Sequence, residues 1–279
     1  MKTTQSKDGT VKFEFPQGYS AVIIPMNTKT KEGKDREKTY TLCLSTQVGC
    51  SMNCQFCYSA KTKFKKNLSL DELKEQINVA AEHLKISPGE FQSIVFMGMG
   101  EPLLNLENVL EFCKHMNEKH YLSYSKMTIS TSGIIPKMKD ITNFKFPVKL
   151  ALSLHSPSQE IRDKIMPGLK QFPIKDLIKV CHEYNDRYKQ KIMIEYLMIN
   201  GLTDKEEDLQ QLIDFKFDKY TYFNLIPLNS SFELEGKIHT ASSKETMEHF
   251  KKELRKANYK CFIRESMGED IEAACGMLK

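Results

Sequence analysis

Cysteine is the residue type best placed to do chemistry in this chain, and its eight copies are unevenly spread. Cys43, Cys50, Cys54 and Cys57 crowd together, and the last three form the pattern Cys50-x3-Cys54-x2-Cys57. Three thiolates from one short loop suit an iron–sulfur cluster that leaves its fourth iron open to an outside ligand. A structural zinc site wants four ligands, usually in two pairs, and the sequence has no second CxxC. The competing reading is a zinc knuckle completed by Cys43 or a more distant cysteine. Cys113, Cys181 and Cys261 fall in helix or strand patterns, where a thiol serves as a small apolar side chain.

Other reactive groups recur at the ends of apolar segments. Gly98-Met99-Gly100-Glu101-Pro102 follows one such segment, Ser130-Thr131-Ser132-Gly133 another, Ser153-Leu154-His155 a third, and Asn229 a later one. The glycines allow close approach of a ligand to the backbone, and a carboxylate beside exposed carbonyls can bind an ammonium. A lone His155 is more often a hydrogen-bonded structural residue; its place among successive strand ends favours a binding role.

The elements that position these groups alternate. Residues 11–15 and 19–25, separated by Pro-Gln-Gly, read as a hairpin, and the charged stretch 28–38 as a solvated connection. Strands are expected at 39–45, 92–98, 126–131, 148–155, 191–199, 220–227 and 259–263. Helices are expected at 71–85, 106–119, 135–143, 174–188, 205–217 and 242–257. The helix at 71–85 carries Leu73, Ile77, Ala80, Ala81 and Leu84 at helical spacing. Such alternation implies a parallel sheet with right-handed crossovers, hence an α/β fold of about six units closing into a barrel or part of one. Catalytic groups then collect at the carboxyl ends of the strands.

Composition sets the remaining bounds. The 279 residues include 41 Lys and Arg against 36 Asp and Glu, a net charge of +5 that permits a polyanionic partner without demanding one. Hydrophobic residues at 40% and charged residues at 28% exclude a disordered chain. The start, MKTTQSKDGTVKF, has no apolar stretch for a signal peptide, and the longest apolar runs fall far short of a membrane span. A soluble cytoplasmic protein is expected, in which metal ligation and catalysis are better uses for cysteine than stable disulfides.

A cysteine triplet of this spacing after the first strand of a (β/α) repeat resembles the radical S-adenosylmethionine (SAM) superfamily. Within it, TLCLSTQVGCSMNCQFC, FKKNL, GMGEPLLN, TISTSG, ALSLHSP, NLIPLNS and DIEAACG, in that order, are similar to the RlmN and Cfr family of RNA adenine methyltransferases. The resemblance implies a partial (β/α)6 radical SAM barrel at 39–264, after a small N-terminal β-hairpin extension at 1–38. A C-terminal catalytic tail, 265–279, follows. It implies a 4Fe–4S cluster on Cys50, Cys54 and Cys57, and S-adenosylmethionine held by Gly100, Glu101, Ser130, Ser153, Leu154, His155 and Asn229. Cys275 is implied as the cysteine methylated first, and Cys43 as its resolving partner through a disulfide. The family reaction is methylation of an adenine at carbon 2 or carbon 8 of ribosomal or transfer RNA. A flavodoxin or ferredoxin would supply electrons to a monomer with no membrane partner. Two other readings stand beside it: the same methylcysteine chemistry on a protein or small molecule, and a metal-bound RNA-binding or scaffold protein without turnover.

Two departures touch the substrate side. Family members usually carry a helical domain before the hairpin, whereas this sequence begins almost at the hairpin. Lysines 61, 63, 65 and 66, and those within 29–38, offer a compact route to RNA, with Tyr58 and Phe64 as aromatic candidates for stacking a base. The family also places a proton-accepting glutamate five residues before the Ile-Pro proline, and here Ser20 stands there, with Glu14 or Asp270 as possible substitutes.

Overall fold

The computed structural model describes residues 1–26, 38–119, 121–143, 147–189 and 191–279. In chain order its strands and helices are β1 (Lys2–Gln5), β2 (Val11–Glu14), β3 (Ser20–Met26), β4 (Thr39–Cys43), β5 (Gln47–Val48), α1 (Tyr58–Lys61), β6 (Lys66–Asn67) and α2 (Leu70–Leu84). There follow β7 (Ser93–Phe96), α3 (Leu106–Glu118), β8 (Met127–Thr131), α4 (Ile135–Asn143), β9 (Lys149–Ser153), α5 (Gln159–Ile165), α6 (Ile174–Tyr188) and β10 (Ile192–Met198). The chain ends with α7 (Glu206–Asp214), β11 (Thr221–Pro227), β12 (Phe232–Leu234), β13 (Lys237–His239), α8 (Lys244–Lys256) and β14 (Lys260–Ile263).

One sheet runs β1-β2-β3-β4-β7-β8-β9-β10-β11-β14. From β4 to β14 every pairing is parallel, and the N-terminal strands extend the sheet antiparallel through β3 on β4. Among the described residues β1 and β14 are its edges and do not pair, so the barrel is partial. Six crossovers join the parallel strands, as the alternation predicts. Helices pack on one another in sequence, α2 on α3, α4 on α6 and α7 on α8.

Local chemistry explains the boundaries. Ser69 and Glu72 form a reciprocal capping box that starts α2, and Ser158 and Ser243 cap α5 and α8. In β10, Ile192, Ile194 and Tyr196 turn toward the helices, with Tyr196 against Phe250 of α8. Met193, Glu195 and Leu197 face the opposite, concave side. Parallel register aligns Ser153 of β9 with Glu195 of β10, and Glu195 with Asn224 of β11, in one row across that side.

Several elements carry no sequence signal. β1, the β5–β6 and β12–β13 ladders, α1 and α5 span between two and seven residues, too few for a period to register. The charged connection 28–38 lies, apart from Lys38, outside the described residues. Among the described residues no helix is long and apolar enough to cross a membrane.

Candidate active site

The concave side encloses a cavity of about 630 Å³ at the carboxyl ends of the parallel strands. Cys43, Cys50, Cys54, Cys57, Gly100, Glu101, Ser130, Ser153, His155, Asn229 and Cys275 all line it. Leu154 does not. Its side chain is fully buried, and only its backbone serves the site, donating to the carbonyls of Leu152 and Glu195.

The cysteine loop leaves β4 and returns through α1, whose N-cap is Cys57. It is clasped from below by the end of α5 and the turn Pro167–Leu169: Gln55 N–H donates to Ile165 O at 2.9 Å and Gly168 N–H to Met52 O at 3.2 Å. Burial pushes Cys50 up to about 12 and raises Cys54 and Cys57, each thiol opposing the charge of its neighbours. Such thiols ionise only when a cation arrives. Among the described residues no three His, Cys, Asp or Glu side chains converge tightly enough to hold a single ion. Three thiols from one loop, all lining one cavity, suit a cubane, where each thiolate takes its own iron. The donor set therefore fits a cluster, which Cys50, Cys54 and Cys57 would hold.

Glu101 lines the same cavity, and its charge is felt at Cys50 and Cys54. Its carboxylate accepts from Ser132 N–H at 2.8 Å, Ser132 Oγ–H at 2.6 Å and Leu103 N–H at 3.1 Å. These three donors fix its orientation and leave acceptor capacity for a cation. Burial nonetheless raises its pKa, so an arriving ammonium favours the ionised form. Gly100 adopts φ +96°, and a Cβ there would sit 2.5 Å from Gln47 Cβ, so only glycine fits beside the carboxylate.

His155 takes the left-handed φ of 60° and is almost wholly buried. Leu197 N–H donates to its Nδ1 at 3.2 Å, which places the remaining ring proton on Nε2. Burial, then the charge of Arg162, holds its pKa down at about 3. The imidazole is therefore a neutral donor.

The tail folds back into the cavity. Tyr58 N–H donates to Gly276 O at 2.7 Å, Ser59 Oγ to Leu278 O at 2.7 Å, and Asn229 Nδ2 to Cys275 O at 2.9 Å. Asn229 also accepts from Ser266, so in this state it holds the tail. Farther back, Gly268 N–H donates to Asp8 Oδ2 at 2.7 Å, which ties the tail to the N-terminal hairpin. Cys43 and Cys275 are free thiols here; the disulfide implied by the resemblance is not present. Burial holds Cys43 up at about 12 and raises Cys275, so both favour the protonated thiol. Arg264 hydrogen-bonds Cys275, its charge reaches Cys43, and it pairs with Glu195 at 3.7 Å.

Sequence reasoning missed Glu195, Asn224, Arg264 and Arg162. Three of these carried a signal: Glu195 and Asn224 are polar groups within apolar strand runs, and Arg264 directly follows the last strand. Glu195 accepts from Asn224 Nδ2 at 3.2 and 3.3 Å, and burial raises its pKa. Ser20 is buried in β3 outside the cavity, and neither Glu14 nor Asp270 lines it. Tyr58 lies under the ammoniums of Lys61 and Lys279, while Phe64 is exposed.

Comparison with known proteins adds to this geometry. Residues 44–214 match the Radical SAM superfamily. The chain is 36% identical to a "Probable dual-specificity RNA methyltransferase RlmN" of a Thermoanaerobacter species, over 98% of this chain and 76% of that protein. It is 38% identical to the "Dual-specificity RNA methyltransferase RlmN" of a Nitratiruptor species, over 98% of this chain and 79% of the relative. A crystal structure of a radical SAM methyltransferase from Sphaerobacter thermophilus superposes with a TM-score of 0.87 at 30% identity, covering 100% of this chain and 80% of that one.

Proposed function

Because the chain belongs to the radical SAM superfamily and, within it, to the RlmN family of methyltransferases, we propose that it methylates an adenine ring carbon of ribosomal or transfer RNA through an S-methylated Cys275. The observation that carries this reading is the meeting of Cys275, Cys43, the cysteine triplet and Glu101 in one cavity. A cluster on Cys50, Cys54 and Cys57, with S-adenosylmethionine, supplies one-electron chemistry that can activate an unreactive methyl group.

The chain's own residues do the rest. Glu101 receives the cofactor's ammonium, and Gly100 lets it approach. Ser130, Ser153 and the Nε2–H of His155 offer hydrogen bonds to its sugar and carboxylate. Ring carbons 2 and 8 of adenine are not nucleophilic, so direct displacement fails there. A thiolate accepts a methyl readily, and Arg264 is the cation beside Cys275 that favours its ionised form. Cys275 would accept the methyl as a thiolate, forming S–CH3 while the donor's C–S bond breaks and its neutral thioether leaves. Joining that carbon to the ring would require one hydrogen atom to be taken from the S-methyl group by the radical chemistry the cofactor supplies, and then one electron to return to the cluster and the ring proton to pass to a base; Cys43 thiolate would then attack the Cys275 sulfur. An S–S bond would form as the sulfur–carbon bond breaks, and the departing carbon would keep the electron pair and take a proton to become the ring methyl group. The carboxylates lining the cavity are Glu101, Glu195 and Glu265; with Glu101 given to the ammonium, Glu195 and Glu265 are those left to accept a proton where Ser20 stands in place of the family's glutamate.

Cys43→Ala tests the reading. Expressed anaerobically with iron and sulfide and digested with nuclease, this variant is expected to carry a nucleotide on Cys275, read by intact mass. An unmodified Cys275 in fully clustered protein would remove the mechanism.

A further inference from the structure

Lys12 of β2 is a buried lysine, its side chain 5% exposed. Its ammonium donates to the carbonyl oxygens of Ile271 and Glu272, each at 3.4 Å, and lies 3.6 Å from Glu14. A desolvated ammonium is stable where its three N–H groups meet acceptors, and here the C-terminal tail supplies two of them. Those carbonyls close the helical turn Glu269–Ile271, an end that favours a cation. Glu272 then reverses the chain at a left-handed φ of 52°. A glutamate holds such a conformation where its neighbours fix it.

Two more contacts join this stretch to the turn between β1 and β2. Asp8 Oδ2 accepts from Gly268 N–H at 2.7 Å, and Lys7 N–H donates to Asp270 Oδ2 at 3.3 Å. Gly268 comes so close to Thr10 that a Cβ would sit 2.9 Å from Thr10 Cγ2. Register links this seat to the cavity. Lys12 pairs with Val22 and Val22 with Cys43, so lysine and thiol share one row and one face of the sheet, two strands and about 10 Å apart. We propose that Lys12 is a positioning residue for Cys275: it pins the turn at 268–272 to the sheet that carries Cys43, and residues 273–278 swing from that pivot. This rests on the reading of Cys275 as the methyl acceptor and Cys43 as its partner.

Hydrogen exchange of the wild type, resolved to single amides by mass spectrometry, needs no variant to fold. The N–H groups of Ile271, Glu272 and Ala273 donate within the turn, and that of Met277 donates to Ala274 O in the tip. The first three are expected to exchange about tenfold more slowly than the last. Equal rates overturn the pivot.

Lys12→Met keeps the aliphatic stem and removes the donors. Its three turn amides are expected to exchange about tenfold faster, the factor for losing a hydrogen bond from a charged group, with β3 and β4 unchanged. Transfer of a labelled methyl from S-adenosylmethionine to Cys275 of the reconstituted variant is expected to slow about tenfold, because the thiol is misplaced. Lys12→Arg, which still offers donors to both carbonyls, is expected to recover most of both losses. Wild-type turn exchange or wild-type methyl transfer in Lys12→Met overturns the proposal, as does a loss that arginine fails to recover. Asp8→Ala, at an exposed position, removes the acceptor of Gly268 N–H and is expected to speed the same amides. Unchanged turn exchange in that variant also overturns the pivot. Fully clustered wild type whose Cys275 takes no methyl removes the reading of Cys275 itself, while the exchange rates still judge the hold of Lys12 on the turn.

Discussion

His155 offers a test of the buried site that requires no turnover. Its Nδ1 accepts the Leu197 N–H at 3.2 Å, so a second proton on the ring would set one donor against another. The folded pKa is about 3, whereas an unfolded histidine titrates near 6.5. The unfolded chain therefore binds more protons below pH 6.5, and stability must rise with pH. The contribution is complete above the unfolded value and is lost as pH falls from about 6.5 toward about 3. At pH 5 the unfolded chain is about 1.5 units below its own pKa, which amounts to about 2 kcal/mol of lost stability relative to pH 7. The side chain is only 6% exposed, so solvent screening takes little from this figure. His155→Asn is the informative variant, because asparagine tolerates the φ of 60° and does not titrate. Urea unfolding of both proteins at pH 7 and pH 5 should show wild type losing about 2 kcal/mol more than the variant. Equal losses would mean that the imidazole is not held neutral by its surroundings, and the argument for an Nε2–H donor in the cavity would fall with it.

Two further substitutions probe the frame around the cysteines. In Gly168→Ala the new Cβ would meet Met52 O at 2.5 Å, a backbone atom that cannot swing away. Relief of such a clash costs about 1–3 kcal/mol, so the clasp should open, and reconstituted protein should lose iron to a chelator faster than wild type. Iron release at the wild-type rate would show that the clasp does not hold the loop. Glu101→Gln swaps one acceptor oxygen for an amide that confronts Ser132 or Leu103 N–H, and removes the charge offered to an ammonium. Calorimetric titration with S-adenosylmethionine should show at least tenfold weaker binding, about 1.4 kcal/mol; an unchanged affinity would place the ammonium elsewhere.

The parallel sheet was legible because its strands are continuous apolar runs separated by amphipathic helices, a pattern that survives without any tertiary knowledge. The cysteine triplet was legible for a different reason, since ligand spacing within one loop is a local property. Groups assembled across strands were not. Glu195 reads as a flaw in the run IMIEYLM until register places it opposite Ser153 and Asn224 and brings Arg264 to it. Arg162 reads as an ordinary charged position on a short helix, because nothing in Gln-Glu-Ile-Arg-Asp-Lys-Ile says which residue turns inward. Leu154 differs in another way: a motif groups it with Ser153 and His155, which line the cavity, while its own side chain is buried away from it.

The seat of the tail bears on whether one cysteine can both collect a methyl and meet a base. Its last residues are held by hydrogen bonds from Tyr58, Ser59, Asn229 and Arg264, each contributing about 0.5–1.5 kcal/mol net. Burial of Leu278 adds about 2 kcal/mol. Against these stands the entropy of ordering the four residues from Cys275 to Leu278, about 1–2 kcal/mol apiece. Gain and loss are of the same size, so the docked tail lies within a few kcal/mol of release. Two of these hydrogen bonds come from α1, which begins immediately after Cys57. Whatever organises the cysteine loop therefore also organises the seat of Cys275. A near-balanced tail anchored on the cluster helix is what the proposed sequence requires: close enough to receive the methyl beside the cluster, and loosely enough held to carry it to a base.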